Sequence, residues 1–288
     1  MILLDFSQVM ISNLMMQIAA SKNSKIEENL IRHMALNSLR SYRSRFKVEY
    51  GELVICCDDK NFWRKDVFPY YKANRKKDRE SSKHDWAAIF DAMEKIKQEL
   101  RTKMPYKVIQ IDRAEADDVI ASICHSYGVF FNEQSEEKIL ILSGDKDFTQ
   151  LQKYSNVYQF SPIRKKEIHI DNPERFLREH ILLGDRGDGV PNFLSDDDTF
   201  INNKRQKVIS REKIDQWATL NPKDFCDEKM LRGYIRNEIM VNLDKIPNQI
   251  QEKVMDLYNT QTPVDRSGIM SYFMENRLKT LTEHMSDF

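Results

Sequence analysis

Eight acidic residues carry the chemistry this chain can offer: Asp5, Asp58, Glu115, Asp117, Asp145, Asp147, Asp185 and Asp188. Most of them stand where a short apolar run ends. Ile2-Leu3-Leu4 leads into Asp5, and Leu53-Val54-Ile55-Cys56-Cys57 into Asp58-Asp59. Val108-Ile109-Gln110-Ile111 leads into Asp112 and then Glu115-Ala116-Asp117-Asp118. Ile139-Leu140-Ile141-Leu142 leads into Ser143-Gly144-Asp145-Lys146-Asp147. A last group, Gly184-Asp185-Arg186-Gly187-Asp188, follows Ile181-Leu182-Leu183 and presents two acids three positions apart to one side. If the runs are parallel strands of one sheet, their carboxyl ends share an edge, where open α/β sheets bind ligands. The acids then meet. Two carboxylates ~6 Å apart repel by roughly 3 kcal/mol at an effective dielectric near 20, so cations must bind or some pKa values must rise. Oxygen donors without histidine or cysteine select Mg2+ or Mn2+ and disfavour zinc. A single acid after a strand is more often a helix cap or a solvated turn residue, and Asp59, Asp112 and Asp118 fit that simpler role. Five groups in the same relation to five apolar runs do not.

The elements that must position these acids are legible as periodicity. The strand runs are short and almost continuously apolar, which suits strands covered on both faces. Helical spacing separates them: Leu30, Met34, Leu39 and Tyr42; then Trp86, Ile89, Phe90, Met93, Ile96 and Leu100; then Asp117-Asp118 opening a helix through Val119, Ile120, Ile123 and Cys124. This alternation predicts an α/β fold with a mainly parallel central sheet flanked by helices. Tyr154 to Ile170 reads as two short strands around Ser161-Pro162, and Asn172-Pro173 as a helix start. Beyond Asp188 the stretch 192–207 is polar and turn-rich, and helical patterns follow to the end. The expected division is a catalytic domain over 1–180 and a smaller C-terminal helical domain over 181–288.

Lysine and arginine total 45 against 45 acids, so net charge names no partner. No run approaches the ~20 apolar residues of a membrane span, and no leader pattern opens the chain; a soluble, cytoplasmic protein is expected. Four cysteines without a Cys-x-x-Cys make neither a zinc site nor a disulfide framework and read as core thiols. Charge is uneven along the chain: Lys60 to Lys83 holds nine Lys/Arg against three acids, with Trp63, Phe68, Tyr70 and Tyr71 interleaved. A charge run is ordinarily a solvated face. Aromatics between the bases suit a nucleic-acid strand instead, through stacking and phosphate pairing.

Taken in order, several stretches resemble the flap-endonuclease/5′-nuclease superfamily, in its branch of T-even-type bacteriophage ribonucleases H. They are Leu4-Asp5-Phe6-Ser7, Cys57-Asp58, Trp63-Arg64-Lys65 running to Tyr70-Tyr71-Lys72-Ala73-Asn74-Arg75, and Glu115-Ala116-Asp117-Asp118. Ser143-Gly144-Asp145-Lys146-Asp147-Phe148-Thr149-Gln150-Leu151 and Gly184-Asp185-Arg186-Gly187-Asp188-Gly189-Val190-Pro191 complete the set, and Gly268 to Phe288 is similar as well. The resemblance implies a PIN/5′-nuclease-like fold and a Mg2+-dependent 5′-to-3′ nuclease with ribonuclease H, 5′-exonuclease and flap-endonuclease activity. Such an enzyme removes RNA primers and adjoining DNA from lagging-strand fragments in phage DNA replication, acting on RNA–DNA hybrid and on flapped or nicked DNA duplex.

It implies two metal positions, for Mg2+ with Mn2+ as a substitute: Asp5, Asp58, Glu115, Asp117 and Asp145 serve one, and Asp145, Asp147, Asp185 and Asp188 the other. In-line attack by metal-activated water then needs no side-chain nucleophile. Residues 60–85 become an arch over the site, with Arg64, Lys72 and Arg75 on phosphates and Tyr71 stacking on a base. A duplex-binding region falls near 184–210, with Lys204 and Arg205 as contacts. Here the chain departs from the pattern. The glycines of the family's helix–three-turn–helix segment are missing, its potassium-type ion site is not expected, and Asp196-Asp197-Asp198 adds repulsion toward phosphate. The chain also begins almost at Asp5, so a sliding-clamp contact through an N-terminal tail is not expected. The C-terminal helices could dock a replication partner such as single-strand-binding protein, but their apolar residues read more simply as core, and a monomer is expected. Two other readings are a non-catalytic nucleic-acid-binding subunit, which would not keep every acid, and a PIN-type single-strand ribonuclease, which does not account for Asp185, Asp188 and the long helical part. A haloacid-dehalogenase-type phosphatase would need aspartate where Ser7 stands.

Overall fold

A computed structural model describes residues 1–20, 27–130 and 137–288. Six strands form one sheet: β1 (Ile2–Asp5), β2 (Leu53–Cys57), β3 (Lys107–Gln110), β4 (Ile139–Leu142), β5 (Val157–Ser161) and β6 (Lys166–Ile168). Their order is β3-β2-β1-β4-β5-β6, parallel throughout except for the antiparallel edge strand β6. The register places Leu3 beside Val54 and Ile141, and Asp5 beside Cys56. The carboxyl ends of β1 to β5 therefore lie along one edge.

Strand side chains alternate between faces, and here both faces are covered. Ile2, Leu4, Leu53, Ile55, Cys57, Val108, Leu140 and Leu142 enter one core with helices α1 (Phe6–Ala20), α2 (Glu28–Tyr50) and, after the four-residue α3 (Arg64–Val67) and α4 (Ala73–Glu80), α5 (Trp86–Lys103). Leu3, Val54, Cys56, Ile109, Ile139 and Ile141 enter the other with α6 (Ala116–Tyr127). This two-sided burial explains why the strands read as unbroken apolar runs. Cys56, Cys57 and Cys124 are buried free thiols within it. Asn172 caps α7 (Pro173–Leu183) by accepting from Arg175 N at 2.8 Å, with Pro173 at the first helical position.

The expected division at residue 180 is not a division of cores. Here α8 (Arg211–Trp217), α9 (Pro222–Phe225) and the start of α10 (Glu228–Val241) build a small cluster around Leu182, Phe193, Trp217 and Phe225. Next, α11 (Asn248–Thr260) lies on α6 and β3, with Ile250 and Val254 in the second sheet core. The short helices α12 (Ile269–Glu275) and α13 (Lys279–Thr282) carry Tyr272, Phe273 and Leu281 into the first core, where Phe288 also ends. Tyr272 Oη donates to Glu99 at 2.7 Å, and the buried Arg32 holds the same carboxylate from α2. Amphipathic helices announce a buried face but not its partner, so the C-terminal segment looked independent where it clasps the first layers. No helix among the described residues is long and apolar enough to cross a membrane.

Candidate active site

Each acid is fixed by the element that ends or starts beside it. Asp5 closes β1; its carboxylate accepts from Gln8 N and from Ser143 Oγ, both at 3.1 Å. Asp58 follows β2 and accepts from Ala116 N at 2.9 Å, which ties it to the first turn of α6. Glu115 caps α6 in a reciprocal box with Asp118, whose carboxylate accepts from Glu115 N at 2.9 Å. Asp145 accepts from Asp147 N at 3.0 Å and so opens the 3-10 helix Lys146–Lys153. Asp185 accepts from Asp188 N at 3.1 Å. That loop requires Gly184: its φ is +68°, and a Cβ there would stand 2.5 Å from the carbonyl oxygens of Val190 and Pro191.

Pairwise charge coupling links the eight acids into one network. Burial first, then the Asp58 charge, pushes Asp5 up to about 7. Burial and then Asp147 raise Asp145 to about 6, with Asp188 and Asp185 adding. Burial, Asp145, Asp5 and Glu115 hold the Asp117 carboxyl well above the usual range, and among the described residues no hydrogen bond reaches it. The other side of the cluster is compensated. Burial works against the charge of Glu115, but Lys72 and Arg64 keep its pKa low. Burial likewise opposes Asp185, but Lys146 at 2.9 Å keeps its carboxyl below the ordinary range. Among the described residues cations form ion pairs with Glu115, Asp185 and Asp188 and none with Asp5, Asp117 or Asp145, although the charge of Lys72 reaches Asp117 and that of Lys146 reaches Asp145. An external divalent ion fits that imbalance: oxygen donors, crowded negative charge, and carboxyls that must otherwise hold protons.

The segment between β2 and α5 supplies the cations of Glu115 and Asp188, and this corrects two expected contacts. Arg64 is 2% exposed. Its guanidinium lies 2.8 Å from Glu115 and 2.8 Å from Asp118 and donates to Met240 O at 3.1 Å. Burial alone lowers its pKa, yet Asp118 and Glu115 drive it well above the ordinary value. Tyr71 is 3% exposed, and its hydroxyl donates to Glu115 and to Asp188, each at 3.0 Å. Neither residue presents a surface to a phosphate or a base: Arg64 locks α10 to the start of α6, and Tyr71 bridges the two acidic groups. Lys72, held at φ 57°, pairs with Glu115 and lies 3.6 Å from Asp188. Arg75 pairs with Asp188 and remains 45% exposed. Arg64→Ala is accordingly expected to cost about 3–5 kcal/mol in urea unfolding, because it strands two buried carboxylates, and to leave the salt dependence of DNA binding unchanged.

Asp118, read as a simple cap, does more than cap: it also accepts from Trp63 Nε1 at 3.1 Å. The Asp196–Asp198 run is neutralised internally by Lys229, by Arg232 and Arg236, and by Lys204, which removes the expected repulsion toward phosphate. Lys204 is half-exposed, 2.8 Å from Asp198, and Arg205 is exposed. Two residues at the cluster were missed from the sequence, Lys146 and His180. Lys146 lies between two of the expected ligands, and His180 sits five residues before Asp185, one turn back along α7.

The acids line one side of the sheet's carboxyl edge, and Ser143 Oγ donates to Asp5. The family described as 5′-3′ exonuclease, N-terminal resolvase-like domain, matches residues 1–180, and the family described as T4 RNase H, C terminal, matches 172–288. Ribonuclease H of Enterobacteria phage T4 is 33% identical over 296 residues, covering 99% of this chain and 95% of that protein. A 5′-3′ exonuclease of Buchnera aphidicola is 29% identical across 54% of this chain and 51% of its own length. Among solved structures, T5 5′-exonuclease with bound zinc superimposes with a TM-score of 0.59 at 17% identity, over 90% of this chain and 98% of that one. The T5 D15 flap endonuclease, in a pseudo-enzyme–product complex with DNA and metal ions, gives 0.58 at 16% identity, over 90% and 99%. The chain belongs to the 5′-3′ exonuclease family, in which it is a 5′ nuclease with a T4 RNase H-type C-terminal part.

Proposed function

We propose that this chain is a two-metal 5′ nuclease that cleaves RNA–DNA hybrid and DNA flaps or nicks, removing RNA primers and adjacent DNA during phage replication in the host cytoplasm. The observation that carries the reading is the trio Asp5, Asp117 and Asp145, raised in pKa and without an ion pair among the described residues, beside acids that do have one. Asp5, Asp58, Glu115, Asp117 and Asp145 would hold one Mg2+, and Asp145, Asp147, Asp185 and Asp188 a second, with Mn2+ able to substitute. When bound, such ions supply an activated water and neutralise charge developing on the phosphate.

The chain's own residues do the positioning. Arg64 and Asp118 keep Glu115 and Asp117 at the first turn of α6, whose N-terminal dipole favours negative charge there. Lys72 and Arg75 approach the acids from the arch segment, so an entering phosphate meets Arg75 first. Arg75→Ala is expected to reduce the slope of log binding against log salt by about 0.9 on duplex and by less on single strands; an unchanged slope in fluorescence anisotropy removes Arg75 as a phosphate contact. Lys204 and Arg205 are the duplex contacts proposed farther along. A monomer is the proposed state. Tyr272, Phe273 and Phe288 are buried in the first core and do not serve a docked single-strand-binding protein.

A 5′-labelled RNA–DNA hybrid and a 5′-flapped DNA, each with Mg2+ and with EDTA, test the reading by product length. Short 5′ products that require the ion support it; cleavage undiminished by EDTA, or none on either substrate with Mg2+, refutes it.

A further inference from the structure

His180 stands in the acid cluster where an all-oxygen site has no use for it. The residue is 5% exposed, and Phe176 stacks on its ring at 5.7 Å and 28°, which fixes the ring plane. Nε2 lies 3.0 Å from Asp147 Oδ1 and 3.7 Å from Asp185 Oδ2. With a protonated ring that contact is an ion pair; with a neutral ring it is not a hydrogen bond, and neither Nε2 nor Asp147 Oδ1 has another partner among the described residues. Buried polar atoms are almost always paired, and a shared cation pairs a neutral ring with both carboxylates. One donor atom from each of Asp147, His180 and Asp185 falls within 4.8 Å of the others. Two ligands at right angles around an ion, each at ~2.1 Å, stand about 3.0 Å apart, which matches the closest pair.

We infer that His180 is a nitrogen ligand of the second cation position, and that it raises the affinity of this position for Mn2+ and later transition ions relative to Mg2+. The inference rests on the reading that Asp147 and Asp185 hold a cation. Mg2+ takes oxygen and water, while imidazole favours ions further along the first transition row. A nitrogen among the oxygens therefore splits the two metal positions by chemistry: the Asp5 side stays a hard, all-oxygen site, and the Asp185 side becomes a mixed one. Lys146, which pairs with Asp185 at 2.9 Å, is 56% exposed and swings into solvent when a cation arrives.

The rival role is structural, a ring that merely holds Asp147 in place, and spin-echo spectroscopy separates the two. The full chain is stripped of metal, loaded with Mn2+, and its electron spin-echo envelope recorded. A directly bound imidazole imposes 14N modulation on the Mn2+ signal. That modulation is expected in the wild type, absent in His180→Gln, and replaced by the 15N pattern in unsubstituted protein grown on 15N-histidine. The isotope arm needs no substitution and decides the matter if His180→Gln fails to fold. In Mn2+ titrations His180→Gln is expected to weaken one site by at least about tenfold, with Mg2+ competing better against Mn2+ than in the wild type. Bound Mn2+ without 14N modulation, and with equal affinity in His180→Gln, overturns the inference and leaves the two-metal reading standing. No Mn2+ binding by the wild type overturns both.

Discussion

Asp117→Asn is expected to slow cleavage of a 5′ flap by at least about 100-fold while DNA binding stays measurable. Loss of groups that merely support a ligand costs metal sites about 10–100-fold, and Asp117 is proposed as a ligand itself. Its carboxyl sits between the charges of Asp145 and Asp5, without a hydrogen bond from any described residue, so nothing in the metal-free fold depends on its oxygens. The amide keeps the shape and deletes the charge. In metal-free buffer near neutral pH the variant is therefore expected to unfold at the same temperature as the wild type or higher. Single-turnover cleavage, anisotropy on the same flap and a thermal melt give the three readings. A wild-type rate removes Asp117 from the catalytic set; a lost rate with a collapsed melt shows a structural residue instead.

In EDTA, stability is expected to fall as pH rises from about 4 to about 7, the reverse of ordinary acid unfolding. Asp5 has a folded pKa of about 7 against an ordinary 3.8, and Asp145 about 6. Between those limits the folded state binds more protons than the unfolded state, so each step up in pH costs stability until the folded pKa is passed. Asp117 shifts in the same direction. Glu115 and Asp185 shift the other way, and what they contribute is lost only as pH drops below the ordinary carboxylate range, outside this window. One pKa unit is worth about 1.36 kcal/mol, so Asp5 alone carries an effect on the order of 4 kcal/mol. The trio shares one repulsion, and its members do not add. Saturating Mg2+ is expected to abolish the decline, because ions take the place of the protons and bind only the folded state. Melting temperatures at about pH 5 and pH 8, each with EDTA and with Mg2+, check this; superimposable profiles with and without the ion contradict it.

The sheet and the eight acids were legible for the same reason. A strand buried on both faces must be continuously apolar, so Ile2-Leu3-Leu4 and Ile139-Leu140-Ile141-Leu142 announce themselves, and a charge that ends such a run is placed at the strand's end. What stayed hidden was direction. Trp63, Arg64 and Tyr71 look identical in sequence whether they face a nucleic acid or turn inward. They turn inward, onto Glu115 and Asp118 some fifty residues away, and no periodicity encodes a contact across that separation. The left-handed Lys72 compounds this by redirecting its side chain and the start of α4 toward Asp188. The C-terminal helices posed the same problem on a larger scale: Tyr272 and Phe273 were visibly apolar, but their home among α2 and α5 was not. His180 was missed because a lone histidine on an apolar helix face is ordinarily a core residue; its position facing both Asp147 and Asp185 sets it apart.

The most direct test of the account is anomalous scattering from a crystal of this chain soaked in Mn2+. Manganese peaks within ligand distance of the Asp5, Asp117 and Asp145 carboxylates, with a second beside Asp147 and Asp185, are the predicted result. A saturated crystal with no peak at that sheet edge, from protein that still cleaves flaps in Mn2+, would contradict it.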